Sequence, residues 1–280
     1  MNPLYTYIKQ KLIAASYAET EASALARWIL EEEFGFSTLE LYAGKDTDFP
    51  MEKRNRLNDI LVRLARFEPI QYIIGKTEFC GLTLKVSSDV LIPRPETAEL
   101  VDWIVSDCPQ SGLRVLDIGT GSGCIAITLA GRMVEAEVSA WDISEKALAV
   151  ARENALHNNV RIAFSCMDVF NEPTGTSVFD IIVSNPPYIT ESERAEMERN
   201  VLDYEPETAL FVPDTDPLRF YRRIAHIGNQ MLKPGGKLFF EINRAYGSET
   251  AAMLKYGGYS QVEVRSDSYG NARMIKAIKR

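Results

Sequence analysis

The chain has 280 residues, of which 46% are hydrophobic and 25% are charged, and its formal net charge at pH 7 is −8. This is the composition of an ordinary globular protein, and the absence of an apolar run of about 18 residues predicts neither a transmembrane helix nor a membrane partner. The acidic balance disfavours a non-specific nucleic-acid binder, so duplex DNA is not an expected partner.

Apolar residues recur at helical spacing through residues 3–66. The first stripe contains Leu4, Ile8 and Leu12, and two similar stripes follow it. Spacings of three and four residues place these side chains on one face of each helix, as in a small bundle. We therefore predict a small N-terminal helical domain over residues 1–68.

The next segment changes from helical to strand-like spacing. Between Phe79 and Val86, apolar and polar residues alternate on either side of Gly81. Alternation interrupted by a turn residue is typical of two short strands that pair with each other. We predict a β-hairpin connector over residues 69–95.

Strands and helices alternate through residues 96–280, which we predict to be one domain. The predicted strands lie at residues 113–118, 138–141, 162–164, 178–183, 237–242, 261–265 and 273–278. The predicted helices lie at about 96–107, 123–132 and 217–232, with another that begins after Ser144 as its N-cap, and a turn is predicted at 233–236. This alternation favours a doubly wound α/β fold with a seven-stranded sheet.

Residues 117–123 read DIGTGSG and lie between the first strand and the following helix. Glycines at such a turn allow the backbone to approach a bound nucleotide-type cofactor closely. The dinucleotide fingerprint would need a sixth-position glycine at 124, where this chain has Cys124, and no P-loop sequence occurs. The spacing G-x-G-x-G after an acidic residue instead resembles the class I S-adenosylmethionine-dependent methyltransferases.

That resemblance assigns roles to acidic residues at the ends of the next two strands. Asp142 would accept the ribose hydroxyls and Asp168 would reach the adenine amino group, although either residue alone also fits a turn or a helix cap. The cofactor would be S-adenosylmethionine, with S-adenosylhomocysteine as its product. The predicted cofactor-binding residues are Gly119, Thr120, Gly121, Ser122, Gly123, Asp142, Ile143, Asp168, Val169 and Asn185.

Residues 184–188 read SNPPY and follow the fourth strand. In isolation this is a Pro-Pro turn that ends a strand. In the methyltransferase fold it faces the methyl group, and it resembles the motif of enzymes that methylate amides and exocyclic amines. The Asn185 side-chain oxygen and the Pro186 carbonyl would each accept one N–H of a planar nitrogen, and Tyr188 would pack on its face. The predicted catalytic residues are Asn185, Pro186 and Tyr188, and the predicted substrate-binding residues are Asn185, Pro186, Pro187 and Tyr188.

Further segments extend the resemblance over almost the whole chain, to the release factor glutamine N5-methyltransferases of the PrmC/HemK family. They are residues 71–75 (QYIIG), 78–82 (EFCGL), 92–97 (IPRPET), 205–210 (EPETAL) and 270–274 (GNARM). The family implies methylation of the glutamine in the Gly-Gly-Gln motif of class-1 peptide chain release factors, with the helical domain helping to dock this partner. The enzyme is expected to be a cytoplasmic monomer.

Several alternatives stay open at this stage. SNPPY also serves nucleic-acid adenine N6-methyltransferases, which flip their target base, and a non-catalytic cofactor-binding module is a third hypothesis. Thr97 and Arg94 either begin a helix or, for Thr97, reach the methionine end of the cofactor. Where the family usually has Glu-x-Gly, this chain has Asn243, a departure expected to lie away from the methyl-transfer geometry.

The cysteines and histidines are few and scattered. The four cysteines form no Cys-x-x-Cys pair, and the chain has two histidines. This supply predicts no metal site and no disulfide framework, and free thiols suit a reducing compartment.

Overall fold

The computed structural model describes residues 2–43, 49–171 and 178–280. Residue 1 and residues 44–48 of the predicted helical domain lie outside this description. The chain divides into two units, one formed by Met1–Gly75 with Glu198–Tyr204 and the other by Lys76–Met197 with Glu205–Arg280.

The first unit is helical. Its α-helices are α1 (Pro3–Ala14), α2 (Glu19–Trp28), α3 (Thr38–Ala43), α4 (Met51–Leu64), α5 (Ile70–Ile74) and α9 (Arg199–Leu202), with a π-helical turn at Ile29–Glu33. Helix α1 begins where it does because Asn2 Oδ1 accepts a hydrogen bond from the Leu4 N–H at 2.9 Å, and Pro3 occupies the first helical position. The predicted stripe is confirmed, since Ile8 and Leu12 are buried in the core of this unit.

The second unit contains a hairpin and a seven-stranded sheet. The hairpin is β1 (Lys76–Phe79) with β2 (Leu82–Lys85). The strands of the sheet are β3 (Arg114–Ile118), β4 (Glu137–Asp142), β5 (Ile162–Cys166), β6 (Phe179–Ser184), β9 (Leu232–Glu241), β10 (Tyr259–Ser266) and β11 (Ala272–Lys279). The helices of this unit are α6 (Pro95–Asp107), α7 (Cys124–Arg132), α8 (Glu145–His157), α10 (Arg219–Met231) and α11 (Gly247–Tyr256). A two-stranded pair, β7 (Ile189–Thr190) with β8 (Phe211–Val212), and 3₁₀ turns at Glu191–Glu196, Glu207–Ala209 and Arg244–Tyr246 complete the described elements.

The strand order in the large sheet is β10-β11-β9-β6-β3-β4-β5. Strands β3, β4, β5, β6 and β9 are parallel to one another, and β11 pairs antiparallel with both β9 and β10. The sheet is buried on both faces: Ile181 and Val183 contribute to one core, and Ile182 contributes to the other. This explains why the central strands read as continuous apolar runs and confirms the predicted doubly wound fold.

The structure departs from the predicted elements in three places. The residues expected to open the hairpin region instead form α5, whose Ile70 and Ile73 are buried in the core of the helical unit. Helix α11 was not predicted, because its apolar residues show only a weak helical periodicity. The predicted turn at 233–236 is a bulge inside β9, which begins at Leu232.

The bulge in β9 explains the two glycines at that point. Gly235 has φ +77°, and a Cβ on Gly236 would lie 2.9 Å from the Lys233 carbonyl oxygen. Glycine is therefore required at 235 for the positive φ and at 236 for the close approach of the backbone. The strand therefore continues past a sequence that reads as a turn.

Within the described ranges, no helix is long and apolar enough to cross a membrane.

Candidate active site

The carboxyl ends of the parallel strands place the predicted site residues along one edge of the sheet. Ile118, the last residue of β3, pairs with Trp141 in β4 and with Ser184 in β6. The glycine loop therefore leaves β3 directly beside the SNPPY segment that leaves β6. Ser184 fixes this neighbourhood, because its hydroxyl donates a hydrogen bond to the Ile118 carbonyl oxygen at 2.6 Å.

The loop after β3 is built mainly from backbone geometry. Gly119, Gly121 and Gly123 all have positive φ, at +73°, +53° and +83°. A Cβ at Gly123 would lie 2.9 Å from Ile127 Cδ1, so this glycine allows the following helix to pack. A Cβ at Gly119 or Gly121 would meet no protein atom within 4 Å, so these two glycines face space that a ligand can use.

Asp142, at the end of β4, ties the loop to the next strand. Its Oδ2 accepts the Gly121 N–H at 2.8 Å and its Oδ1 accepts the Ser144 N–H at 2.9 Å. Burial raises the pKa of this carboxyl, although the backbone N–H groups oppose that effect. Ser144 is the N-cap of α8 as predicted, accepting the Ala147 N–H at 3.1 Å. We call residues 117–123 with Asp142 the glycine corner.

Asp117, the acid that precedes the glycines, is fully buried and accepts a hydrogen bond from the Thr120 hydroxyl at 2.6 Å. Burial raises the pKa of Asp117 to about 7, and the Thr120 hydrogen bond acts in the opposite direction. The side chain thus stabilises the turn from inside the fold.

The predicted adenine end lies at the close of β5. The Met167 N–H donates to the Asp142 carbonyl oxygen at 2.8 Å, which brings the start of this segment to the glycine corner. Asp168 Oδ1 accepts the Phe170 N–H at 2.9 Å, so Asp168 holds a tight turn. Ile143 is 63% exposed, an apolar side chain open to solvent beside Asp142. The roles of Asp168 and Val169 toward adenine, and the cofactor-binding role of Ile143, stay predictions.

The SNPPY segment carries a polar network that the sequence did not reveal. Asn185 Nδ2 donates to Thr97 Oγ1 at 3.3 Å, and the Thr97 hydroxyl donates to Glu241 Oε2 at 2.6 Å. The other oxygen of Glu241 accepts the Tyr188 hydroxyl at 3.0 Å. We call Asn185, Tyr188, Thr97 and Glu241 the amide corner.

Burial isolates the Thr97 and Glu241 side of this network from solvent, whereas Asn185 and Tyr188 are partly exposed. Thr97 is 2% exposed and Glu241 is 1% exposed. Burial raises the pKa of the Glu241 carboxyl, opposed by its hydrogen bonds from Thr97 and Tyr188, and burial also raises the pKa of Tyr188 far above its ordinary value. Glu241 was missed as a site residue, although its place at the carboxyl end of a strand parallel to β6 was an available signal.

Asn243 corrects an expectation from the sequence. Its Nδ2 donates to the Tyr188 carbonyl oxygen at 3.1 Å and to Glu193 Oε2 at 2.9 Å, and its Oδ1 accepts the Ala245 N–H at 2.9 Å. The departure from Glu-x-Gly therefore contacts the SNPPY segment, and the expectation that it lies apart from this geometry was wrong.

Arg94 and Thr97, which are close in sequence, have different partners in the structure. The Arg94 guanidinium pairs with Glu205 at 2.6 Å, and the Glu205 side chain is 1% exposed. Glu205 also accepts the Ile92 N–H at 3.2 Å, so this pair connects the segment before α6 to the segment after α9. Arg94 is thus part of a partly buried ion pair, whereas Thr97 belongs to the amide corner.

The two corners suit a two-sided site. The glycine corner offers open space along positive-φ backbone next to a carboxylate, which fits an extended, polar cofactor without a phosphate. Among the residues that the structure describes, no donor reaches the side-chain oxygen (Oδ1) of Asn185. The amide corner therefore retains an acceptor that a substrate N–H can use.

Comparison with known proteins gives consistent matches in both halves of the chain. Residues 4–75 match the family model described as the PrmC N-terminal domain, and residues 97–203 match the methyltransferase small domain. A release factor glutamine methyltransferase of Bacteroides thetaiotaomicron is 52% identical over 279 residues, covering 99% of both chains. A release factor glutamine methyltransferase of Flavobacterium psychrophilum is 42% identical over 268 residues, covering 94% of both. Among solved structures, the hMettl16 catalytic domain shares the fold with a TM-score of 0.55 at 16% identity, covering 85% of each chain.

Proposed function

Because this chain belongs to the family of release factor glutamine methyltransferases, we propose that it transfers a methyl group from S-adenosylmethionine to the side-chain amide nitrogen of a release-factor glutamine. The target we propose is the glutamine of the Gly-Gly-Gln motif in class-1 release factors. One observation carries the proposal beyond family membership: the side-chain oxygen of Asn185 accepts no hydrogen bond from the described residues. Asn185 directly follows β6, the strand that pairs with β3 next to the glycine loop.

The residues of the amide corner fit a planar NH₂ group. An amide nitrogen is a poor nucleophile because its lone pair is delocalised, so a catalyst must position it and favour the positive charge that develops on it. The Asn185 oxygen accepts one N–H, and the Pro186 carbonyl accepts the other. Tyr188, whose hydroxyl is held by Glu241, offers a ring for packing against the substrate amide.

The glycine corner would hold the cofactor, which supplies an electrophilic methyl group on sulfur when bound. Gly119 and Gly121 admit it along the backbone, and Asp142 is oriented by two N–H donors beside that space. Ile143, Asp168 and Val169 would line the adenine end. We also propose cofactor-binding roles for Thr120, Ser122 and Gly123, which lie on the loop after β3 itself.

A second candidate acceptor is the adenine N6 nitrogen of a nucleic acid, since it too is a planar NH₂ group. The net charge of −8 argues against it, because binding a phosphate backbone draws on clustered cations. The relatives that match nearly the full length favour a protein substrate.

We also propose that the helical N-terminal region, residues 1–68, docks the release factor. Its match to the PrmC N-terminal domain supports this role. So do large apolar side chains exposed on its helices, among them Leu39 at 76% and Met51 at 70% exposure. Residues 69–95 would be the connector and residues 96–280 the methyltransferase domain, in an enzyme that is monomeric and cytoplasmic.

The test is methyl transfer from labelled S-adenosylmethionine to three acceptors. They are a class-1 release factor, the same factor with the Gly-Gly-Gln glutamine replaced by alanine, and a duplex DNA. We expect label in the first acceptor alone, located on the glutamine by peptide mass spectrometry. Label in DNA with none in the release factor would overturn the proposal.

A further inference from the structure

We propose that Thr97 and Glu241 are positioning residues that fix which way the Asn185 amide faces, and that this orientation makes Asn185 an acceptor for the substrate amide. This inference rests on the proposed function for its substrate. Its structural part, the orientation of Asn185, is independent of which substrate is methylated.

The hydrogens in the amide corner have one consistent arrangement. Two hydroxyl donors and the nearby Arg273 charge favour the ionised form of Glu241 against the effect of its burial. An ionised carboxylate only accepts hydrogen bonds, so Glu241 receives the hydroxyl hydrogens of both Thr97 and Tyr188. A threonine hydroxyl has a single hydrogen. With that hydrogen directed to Glu241 at 2.6 Å, the Thr97 oxygen is left to accept from its other neighbour, Asn185.

This arrangement decides the orientation of the amide. Because Thr97 accepts, the NH₂ group of Asn185 must be the end that faces it, at 3.3 Å. The side-chain oxygen of Asn185 is then the end of the planar amide that points away from Thr97, where no described donor pairs with it. The two ends of an asparagine amide are distinguished only by such partners, so the hydroxyl and carboxylate set the orientation of Asn185.

Burial stabilises this arrangement of hydrogen bonds. Water is excluded from both Thr97 and Glu241, which are 2% and 1% exposed, so no solvent molecule can replace a lost partner at low cost. A flipped Asn185 would direct its carbonyl oxygen at the lone pairs of Thr97 and its NH₂ at the NH₂ of the substrate glutamine. Both contacts lack a hydrogen bond, and the nucleophilic nitrogen would lose an acceptor.

The same carboxylate holds two residues of the SNPPY segment. One oxygen of Glu241 acts on Asn185 through Thr97, and the other binds the Tyr188 hydroxyl directly. The segment after β6 is thus braced by the first turn of α6 and the end of β9. Strand β9 pairs with β6 in the sheet, and α6 reaches the segment through Thr97, although both elements are distant from it in sequence.

The orientation is tested by NMR on protein labelled with ¹⁵N-asparagine. The side-chain NH₂ signal of Asn185 is assigned as the one lost in Asn185→Ala. We expect Thr97→Val, which keeps the shape and removes the hydroxyl, to shift that signal and speed its hydrogen exchange about tenfold or more, whereas Thr97→Ser leaves it in place. Glu241→Gln, whose amide offers a single acceptor oxygen to two hydroxyls, is expected to shift it as well. An unchanged Asn185 signal in Thr97→Val and Glu241→Gln would overturn the inference.

The kinetic consequence is tested on a release factor. We expect Thr97→Val to lower kcat about 10- to 100-fold with little change in cofactor Kd, and Thr97→Ser to recover most of the loss. In the Asn185→Ala background, Thr97→Val should cause no further loss, because the residue it acts through is gone. Equal losses in both backgrounds would contradict the relay.

Thr250→Val is the matched control, since Thr250 is fully buried and its hydroxyl donates to the Tyr246 carbonyl oxygen at 2.7 Å, away from the amide corner. It should leave kcat and the Asn185 signal unchanged. A wild-type protein that methylates no release factor would defeat the proposed function, and the amide signal would still decide this inference.

Discussion

The two corners of the site are built in different ways. The glycine corner depends on backbone: three positive-φ glycines, main-chain N–H groups and one carboxylate that receives them. The amide corner depends on side chains, which meet from α6, from the segment after β6 and from the end of β9. The first is a short contiguous loop joined by Asp142 from the next strand, and the second is assembled only when the sheet has formed.

This difference teaches what each corner tolerates. A backbone site withstands many side-chain changes but no added Cβ at its open glycines. A side-chain network depends on the exact donor or acceptor at each position, because Thr97 and Glu241 at its centre are buried and have few other partners. The corners should therefore fail in separable ways, one in cofactor affinity and the other in turnover.

Asn185→Ala gives the largest expected effect and tests the separation directly. Loss of the acceptor oxygen should lower kcat about 10²–10³-fold, the usual scale for removing a group that stabilises developing charge. Cofactor Kd, measured by calorimetry, should change less than about threefold, because the glycine corner is intact. A matching loss of cofactor affinity would mean that the two corners are not separable.

Gly121→Ala breaks the other corner. A Cβ there meets no protein atom, so the fold should lose only about 1–2 kcal/mol from the positive φ. It would occupy ligand space, and cofactor affinity should fall about 100-fold. Gly131→Ala, in α7 with ordinary φ and open space, is the control and should leave cofactor affinity unchanged while raising or preserving the melting temperature. Normal cofactor affinity in Gly121→Ala would contradict the assigned role of the loop.

Asn243→Gly introduces the residue that the family usually has. It removes the hydrogen bonds to the Tyr188 carbonyl oxygen and to Glu193, so we expect kcat to fall about tenfold with cofactor Kd unchanged. Asn229→Ala, which removes a single exposed hydrogen bond to Gly257, is the control. Full activity in Asn243→Gly would show that the brace on Tyr188 is not needed for turnover.

Asp117 lies outside the comparison of cofactor affinity and turnover, because its expected effect is on stability and depends on pH. Its pKa in the fold, about 7, lies above the ordinary value of 3.8, so the folded state holds this proton more tightly than the unfolded chain does. Its stabilising contribution is therefore complete below pH 3.8 and is lost as the pH rises to about 7, at no more than about 1.4 kcal/mol per pH unit. Chemical denaturation from pH 4.5 to 7.5 should show this slope, and Asp117→Asn should reduce it. An identical slope in the variant would exclude Asp117 as its source.

The sequence was informative about the fold wherever a pattern is local. The helical stripe of α1 and the Ser144 cap were predicted and are confirmed, and so is the seven-stranded α/β sheet. Predictions failed where packing overrides local signals. The residues of α5 look strand-like but are buried as a helix, and the sequence 233–236 resembles a turn but continues a strand through a bulge.

The sequence by itself determined the glycine loop and SNPPY as chemistry-bearing segments, because in each the necessary residues are consecutive. It also carried the resemblance that the near full-length relatives confirm. Only the tertiary structure decided the partners of SNPPY. Thr97 lies 88 positions from Asn185 and 144 from Glu241, and no spacing rule links such residues. The parallel strands β6 and β9 bring Asn185 and Glu241 to one sheet edge, and the first turn of α6 adds Thr97. Burial then requires the polar groups to have partners, which is the physical reason that the network is visible only in the fold.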